Sequence, residues 1–188
     1  MTPPDYTFIT DRLAIGNVTA RSVPGWVAIV TLLATDRPGI LWDELKDAPK
    51  VPNGVACNEL GGIPILHVDI ADGESLRFGS DAHKLDDYLE SATAFIARHI
   101  AHGCVLVHCG AGISRSASLV IAYLCRYAGM SYSEALGFVK TERPQVAPAD
   151  AFAIAIKNWL QLDKLAEKGP RSNVWLPDRF WAVLREGD

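Results

Sequence analysis

The segment that most constrains this chain runs from Gly103 to Ser118. It begins with a short apolar run from Cys104 to His108, continues through small residues, and leads into a long apolar helical pattern that starts at Arg115. A strand, a tight loop and a helix N-terminus in this order turn several backbone N–H groups toward one point, where an anion can bind. The segment therefore predicts a strand–loop–helix unit built around a small anion site.

Two reactive side chains flank that loop. Cys109 follows the strand, and Arg115 lies six residues later, so a single tight loop would bring the guanidinium back to the thiol. Amides at a helix N-terminus stabilise a thiolate and lower the pKa of a cysteine, and a guanidinium can hold two phosphate oxygens at once. The pattern indicates nucleophilic attack by Cys109 on a phosphate that Arg115 holds.

The neighbouring residues fit the same chemistry. Ser116 can donate a hydrogen bond to the sulfur and assist its later departure, and His108 is placed to hold the loop by hydrogen bonds and to favour the thiolate. The small residues of the loop let the backbone approach phosphate oxygens closely. The expected substrate-binding residues are Gly110, Ala111, Gly112, Ile113, Ser114 and Arg115.

The bulk composition excludes several classes of function. The chain has 188 residues, of which 49% are apolar and 21% are charged, a balance that suits one domain with a real core. Its net charge is −4, so we expect no binding to nucleic acid or to an anionic membrane surface. Any anion that it binds must therefore be held by a local site.

The cysteines indicate free thiols rather than a metal site. The four cysteines form no CxxC pair, and no cysteine–histidine spacing is typical of zinc, so we expect no metal. We expect Cys57, Cys104 and Cys125 to be structural, with a resolving role toward oxidised Cys109 as the alternative.

We also expect no signal peptide and no membrane span. The first residues lack the charged and apolar regions of a signal peptide, and no apolar run approaches the roughly 18 residues of a membrane span. Together with the free thiols, these features predict a cytoplasmic protein.

Hydrophobic periodicity predicts alternating strands and helices. The expected strands are two short ones within residues 6–16, one from Trp26 to Leu33, one from Ile63 to Val68 and one from Cys104 to His108. The expected helices are a short one from Asn17 to Ser22, one from Ser80 or Asp81 to about Gly103, one from Arg115 to Ala128, one from Ser131 to about Thr141 and one from near Pro148 to about Lys168. Residues 36–62 read as loops with a helical turn or two at residues 41–48. The pattern predicts an α/β fold with a mostly parallel central sheet of about four to five strands and helices on both faces.

The segment from His108 to Ser116 resembles the signature of the cysteine-dependent protein tyrosine phosphatases. Its residues 111–116, followed by the apolar residues 119–124, resemble the dual-specificity branch of that superfamily. The resemblance extends over about residues 7–165 and implies a single catalytic domain over residues 1–170. We expect the aromatic tail, residues 171–188, to pack on that domain.

A phosphate ester needs an acid that protonates its leaving oxygen. Two candidates, Asp69 and Asp72, follow the strand that ends at Val68. The resemblance places the family's acid at Asp72, and Asp72-Gly73 is a loop that could close over a substrate. Asp69 directly follows the strand, where capping or pairing is its alternative role. Attack by Cys109 with Asp72 as the acid gives a phosphocysteine that water hydrolyses, and this mechanism needs no cofactor.

The loop composition separates substrate classes by resemblance. Phosphoinositide phosphatases of the superfamily tend to carry lysines here, glucan phosphatases tend to have glycine at position 114, and RNA 5′-phosphatases tend to have Asn-Arg-Thr at positions 114–116. This loop instead carries Arg115 between two serines. The resemblance favours phosphotyrosine and phosphoserine or phosphothreonine on a protein partner. The alternatives are a phosphoinositide or small-molecule phosphomonoester and a non-catalytic pseudophosphatase that binds phosphoproteins.

Overall fold

The structure, a computed structural model, describes residues 3–33, 50–51, 55–70 and 82–165. The strands are β1 (Tyr6–Phe8), β2 (Leu13–Gly16), β3 (Trp26–Leu32), β4 (Lys50–Val51), β5 (Val55–Leu60), β6 (Ile63–Val68) and β7 (Cys104–His108). The helices are α1 (Ala82–His99), α2 (Arg115–Ala128), α3 (Tyr132–Glu142) and α4 (Asp150–Leu165), and a 3₁₀ helix covers Val18–Ser22. None of these helices is both long enough and apolar enough to cross a membrane.

The strands form one sheet in the order β1-β2-β7-β3-β6-β5-β4. Its centre is parallel, since β7 pairs with β2 and β3, and β3 pairs with β6. The edges are antiparallel, with β1 on β2 and β5 between β6 and β4. The α/β fold class and the mostly parallel centre that the sequence predicts are confirmed.

Two strands, β4 and β5, lie where the sequence pattern predicts only loops. The β5 sequence carries Asn58 and Glu59 and lacks the apolar alternation of a half-buried strand, so periodicity alone does not reveal it. It exists because it pairs antiparallel with β6 along its whole length. Gly61 and Gly62 form the connecting turn with φ values of +58° and +83°, the left-handed conformation that two-residue hairpin turns require.

The side chains of the parallel strands alternate between two cores. The larger core joins one face of the sheet to all four α-helices, and its strand residues include Ile15, Val30 and Val107. The smaller core lies on the opposite face, where Leu106 and Ile29 pack against Ala20 of the 3₁₀ helix. Among the described residues, the face of the sheet opposite the α-helices is therefore covered by the 3₁₀ helix. The sequence pattern predicts helices on both faces but does not distinguish a 3₁₀ helix from an α-helix.

The described helices lie close to their predicted ranges, and capping interactions mark several of their ends. Asn17 caps the 3₁₀ helix by accepting a hydrogen bond from the Ala20 N–H, and Ser131 and Glu134 form the reciprocal capping box of α3. Gly129 ends α2 in the left-handed conformation. The predicted helix start at Ser80 or Asp81, the helical turn at residues 41–48 and the aromatic tail at residues 171–188 lie outside the described residues.

Candidate active site

The predicted loop lies at the carboxyl edge of the parallel strands, where α/β sheets bind their ligands. Strand β7 ends at His108, Cys109 follows it directly, and α2 begins at Arg115. Gly110, Ala111 and Ile113 are exposed, whereas Gly112 and Ser114 are buried.

Five consecutive carbonyl groups of the loop accept hydrogen bonds from residues outside it, so its backbone has little freedom to rotate. Three of the donors are backbone N–H groups: Val18 donates to the Gly110 carbonyl at 3.2 Å, Ala147 to that of Ile113 at 3.0 Å, and Ser118 to that of Ser114 at 2.8 Å. The fourth donor is the Arg143 guanidinium, whose Nη2 lies 3.5 Å from the Ala111 carbonyl oxygen and whose Nε lies 3.0 Å from that of Gly112.

This arrangement turns the loop amides inward. A trans peptide points its C=O and the following N–H in opposite directions. Carbonyls held outward at residues 110–114 therefore leave the N–H groups of residues 111–115 on the inner side, next to Cys109. The Gly112 N–H already lies 3.3 Å from the Cys109 sulfur. Inward amides of this kind form a cradle for phosphate oxygens.

Gly112 is the residue that makes the tight wrap possible. Its φ is +72°, and a Cβ at this position would lie 2.8 Å from the carbonyl oxygen of Gly16. A side chain would therefore meet both backbone strain and a clash with a fixed strand end.

Cys109 has the environment of a thiolate. Its side chain is only 2% exposed, and its sulfur accepts hydrogen bonds from the Gly112 N–H and from Ser116 Oγ, each at 3.3 Å. Burial raises the pKa of the Cys109 thiol, but the hydrogen bonds from Ser116 and Gly112 and the charge of Arg115 outweigh it, so the pKa lies below the ordinary cysteine value. The predicted contact between Ser116 and the sulfur is present.

Arg115 returns to the start of the loop as the six-residue spacing predicts. A Cβ on Gly110 would lie 3.5 Å from Arg115 Nη2, so the guanidinium faces the residue that follows the nucleophile. Its Nη1 donates to the carbonyl of Ile70 at 3.3 Å, which ties it to the chain just beyond β6. The guanidinium is thus held between the loop and the segment that leaves β6.

His108 is buried and neutral. Its Nε2 lies 2.8 Å from Thr31 Oγ1, and its Nδ1 lies 3.5 Å from the Cys109 carbonyl oxygen. Burial lowers the pKa of His108 to about 3, against a smaller opposing effect of the Cys109 carbonyl. The ring therefore orients the loop by hydrogen bonds, and it supplies no positive charge to the thiolate at neutral pH.

Of the two acid candidates, the structure describes Asp69 only. Asp69 is half-buried, and its charge raises the pKa of His67, although burial lowers that pKa more and the net value is below the ordinary one. This proximity fits the pairing role. Asp72 lies outside the described residues, so its assignment stays a prediction.

Two further cysteines, Cys104 and Cys125, lie within the described residues and outside the loop. Cys104 and Cys125 are free thiols, and burial raises the pKa of Cys125 to about 12, so this thiol stays protonated. The side chain of Cys57 lies outside the described residues. Within 3–33, 50–51, 55–70 and 82–165, no group of three or more His, Cys, Asp or Glu side chains is arranged to hold a metal ion.

The residues that hold the loop from outside are not evident from the sequence pattern. Arg143, which directly follows α3, donates to two loop carbonyls and pairs with Asp5. The hydroxyl of Ser114 also supports the loop, because it accepts from the Ala149 N–H at 3.2 Å and ties the loop to the start of α4.

Comparison with known families agrees with this geometry. The family model described as "Dual specificity phosphatase, catalytic domain" matches residues 46–161, which include the whole loop and its flanking strand and helices. The chain belongs to the dual specificity phosphatase family.

Relatives of this phosphatase domain occur in distant organisms. The chain is 32% identical over 147 residues to MAP kinase phosphatase with leucine-rich repeats protein 3 of Dictyostelium discoideum. The match covers 70% of this chain and 16% of that protein. The chain is 47% identical over 100 residues to human dual specificity protein phosphatase 16, covering 52% of this chain and 15% of that one. The chain therefore spans less than a fifth of the length of these two relatives.

Solved structures of other phosphatases share the fold. The crystal structure of human DUSP28 superposes with a TM-score of 0.62 at 24% identity, over 87% of this chain and 97% of that one. At this identity the match supports the fold alone.

Proposed function

We propose that this protein hydrolyses phosphotyrosine and phosphoserine or phosphothreonine in proteins through a phosphocysteine on Cys109. The observation that carries the proposal is the ring of inward amides around a buried sulfur whose pKa is lowered. Such a site binds a tetrahedral anion and presents a nucleophile to it in one arrangement. Family membership favours phosphate monoesters on proteins as that anion.

In the first step the Cys109 sulfur attacks phosphorus. The S–P bond forms as the P–O bond to the leaving group breaks, and Asp72 gives its proton to the leaving oxygen. Arg115 and the amides of residues 111–115 bind the equatorial oxygens, over which the charge is spread in the transition state. The Ile70 carbonyl lies 3.3 Å from Arg115 Nη1, so the segment that leads to Asp72 starts beside this site, which supports Asp72 as the acid.

In the second step water attacks the phosphocysteine. Asp72, now a carboxylate, takes a proton from the water, the S–P bond breaks, and inorganic phosphate leaves. Ser116 Oγ, 3.3 Å from the sulfur, stabilises the departing thiolate with a hydrogen bond. His108 keeps the strand end and the loop in register through Thr31.

The charge of the loop favours a monophosphate. Residues 109–116 contain one cationic side chain, Arg115, which balances part of the charge of a single phosphate. A headgroup with several phosphates would need further cations. The Dictyostelium relative is named a MAP kinase phosphatase, so phosphorylated MAP kinases are the first protein substrates to assay.

A substrate panel tests this proposal directly. We expect phosphate release from phosphotyrosine and phosphothreonine peptides at rates at least about tenfold above those for a matched phosphoinositide, because one cation does not compensate a polyphosphorylated headgroup. Malachite green detection measures release from both substrate types. Faster release from the phosphoinositide would favour the lipid alternative, and tight peptide binding without any release would favour a pseudophosphatase.

The acid assignment is tested by two matched single substitutions. We expect Asp72→Ala to keep phosphopeptide affinity and to lower kcat by roughly 10²–10⁴-fold, the usual contribution of a general acid. Asp69→Ala should stay within about threefold of wild type, because the charge of Asp69 acts on His67, which takes no part in the proposed reaction. Steady-state kinetics on one phosphopeptide measures both. The reverse order of the two variants would assign the acid to Asp69.

We also propose a cytoplasmic location. The reaction requires a reduced nucleophile, and Cys104, Cys109 and Cys125 are all free thiols. A reducing compartment maintains that state. Fractionation of cells that express the full protein checks this proposal.

A further inference from the structure

Arg143 is a fully buried arginine that the reaction scheme above does not use. It lies directly after α3, and its side chain has no exposed surface. A guanidinium is always charged in proteins, so burying it is costly unless every donor is well placed. The position of this charge therefore depends on its partners.

One side of the guanidinium binds the N-terminal segment. Nη1 lies 3.1 Å from Asp5 Oδ1 and 3.0 Å from Thr7 Oγ1, and Nη2 lies 2.5 Å from Asp5 Oδ2. This is a bidentate ion pair, the strongest geometry between an arginine and a carboxylate. The hydrogen bond from Arg143 holds the pKa of Asp5 below its usual range, against a smaller opposing effect of burial.

The other side of the guanidinium binds the phosphate loop. Nε donates to the Gly112 carbonyl at 3.0 Å, and Nη2 lies 3.5 Å from the Ala111 carbonyl. The Ala111 carbonyl and the Gly112 N–H belong to one peptide, and that N–H donates to the Cys109 sulfur. A cation on the carbonyl end polarises the peptide and strengthens its N–H as a donor.

The peptide between Ala111 and Gly112 is closely packed against Arg143 and the end of β2. A Cβ on Gly112 would lie 2.9 Å from Arg143 Nη2 and 2.8 Å from the backbone of Gly16. Asp5 is itself held in place, because its N–H donates to Asn17 Oδ1 at 3.1 Å and its carbonyl accepts from the Asn17 N–H at 2.8 Å. The N-terminal segment, Arg143 and the loop thus form one continuous hydrogen-bonded unit.

We propose that Arg143 and Asp5 are positioning residues of the phosphatase reaction. Their ion pair holds the peptides after Ala111 and Gly112 with the carbonyls outward, so that the N–H groups stabilise the thiolate and bind phosphate oxygens. This inference rests on the proposed function, since it assigns the residues that keep that same site in its active geometry. Neither residue touches the reacting atoms.

The structure provides a matched control in a second buried arginine. Arg126 Nη2 pairs with Glu90 Oε2 at 2.8 Å, with side-chain exposures of 2% and 47%, against 0% and 52% for the Arg143–Asp5 pair. The Arg126 pair joins α1 to α2, and its guanidinium stacks 4.8 Å over the Trp159 ring, away from the loop. Asp5→Asn and Glu90→Gln therefore remove the same kind of charge, but only Asp5 pairs with an arginine that donates to the loop carbonyls.

Two readouts that do not require turnover test the proposal. We expect Asp5→Asn to weaken the binding of tungstate, a tetrahedral oxyanion, by roughly tenfold. Losses in affinity of this size are typical when a metal ligand loses the hydrogen-bond partner that orients it. We also expect it to raise the apparent pKa of Cys109 in iodoacetamide alkylation, followed by peptide mass mapping. Glu90→Gln should lower Tm by a comparable amount and leave both readouts at wild-type values.

A second variant keeps the test decisive if Asp5→Asn folds poorly. Arg143→Lys retains the charge near Asp5, but one ammonium group cannot reach the carboxylate and two carbonyls together. It should weaken tungstate binding by about tenfold at temperatures well below its Tm. Wild-type tungstate affinity and alkylation profiles in the folded variants would overturn the positioning role. Failure of the proposed function appears differently, as wild-type protein that releases no phosphate from any phosphopeptide.

Discussion

Replacement of Cys109 by serine is expected to abolish phosphate release, because the Cys109 thiolate is the group that attacks phosphorus. Loss of an enzyme nucleophile costs roughly 10⁶-fold in kcat, since an alcohol is far less ionised than this thiol in the same cradle. The hydrogen bonds that hold the loop carbonyls outward do not involve the sulfur, so the inward N–H groups and Arg115 should keep their positions. The variant should therefore still bind tungstate. Hydrolysis of p-nitrophenyl phosphate measures the first effect, and an equilibrium titration measures the second.

The matched control for this variant is Cys125→Ala. Cys125 is buried in α2, and its pKa of about 12 keeps it a neutral thiol. We expect the variant to retain turnover within about threefold of wild type, since a protonated thiol is not a nucleophile. Turnover by Cys109→Ser at a rate close to wild type would contradict the covalent mechanism.

Arg115→Lys has the second largest expected effect. The guanidinium is held by the Ile70 carbonyl at one nitrogen and faces Gly110 at another, and a bidentate grip on two phosphate oxygens needs this planar fork. A single ammonium supplies charge without the fork. We expect kcat/KM to fall by about 10³-fold, as is typical when an enzyme loses a hydrogen-bond donor that stabilises the transition state.

Steady-state kinetics on a phosphotyrosine peptide checks this value, with Arg98→Lys as the control. Arg98 is an exposed residue in the last turn of α1, so its replacement should leave kcat/KM unchanged. An Arg115→Lys variant within about tenfold of wild type would mean that charge alone suffices and that the guanidinium geometry is not used.

The reactive part of the site can be predicted from sequence because it is local. Cys109, Arg115 and Ser116 lie on one strand–loop–helix unit, and their spacing alone brings them together. His108 shows the limit of that reasoning, since its place in the loop is predictable but its neutral state depends on complete burial and on Thr31, 77 residues away.

The support for the loop cannot be predicted in the same way. Arg143 and Asp5 are 138 residues apart in sequence, and no periodicity links them. Strand β5 escapes prediction for a related reason, because its Asn58 and Glu59 lack apolar alternation and only pairing with β6 makes it a strand. Interactions between distant segments decide both features, and they become visible only in the folded chain.

The central claim is that phosphate passes through the sulfur of Cys109. The most direct measurement mixes the enzyme with a phosphotyrosine peptide, quenches the reaction within milliseconds, and locates bound phosphate by intact-mass and peptide mass analysis. The mechanism predicts one phosphate on the peptide that carries Cys109, formed by wild type and absent from Cys109→Ser. Full turnover with phosphate on another residue, or with none on the protein at any quench time in either wild type or Asp72→Ala, would contradict the mechanism.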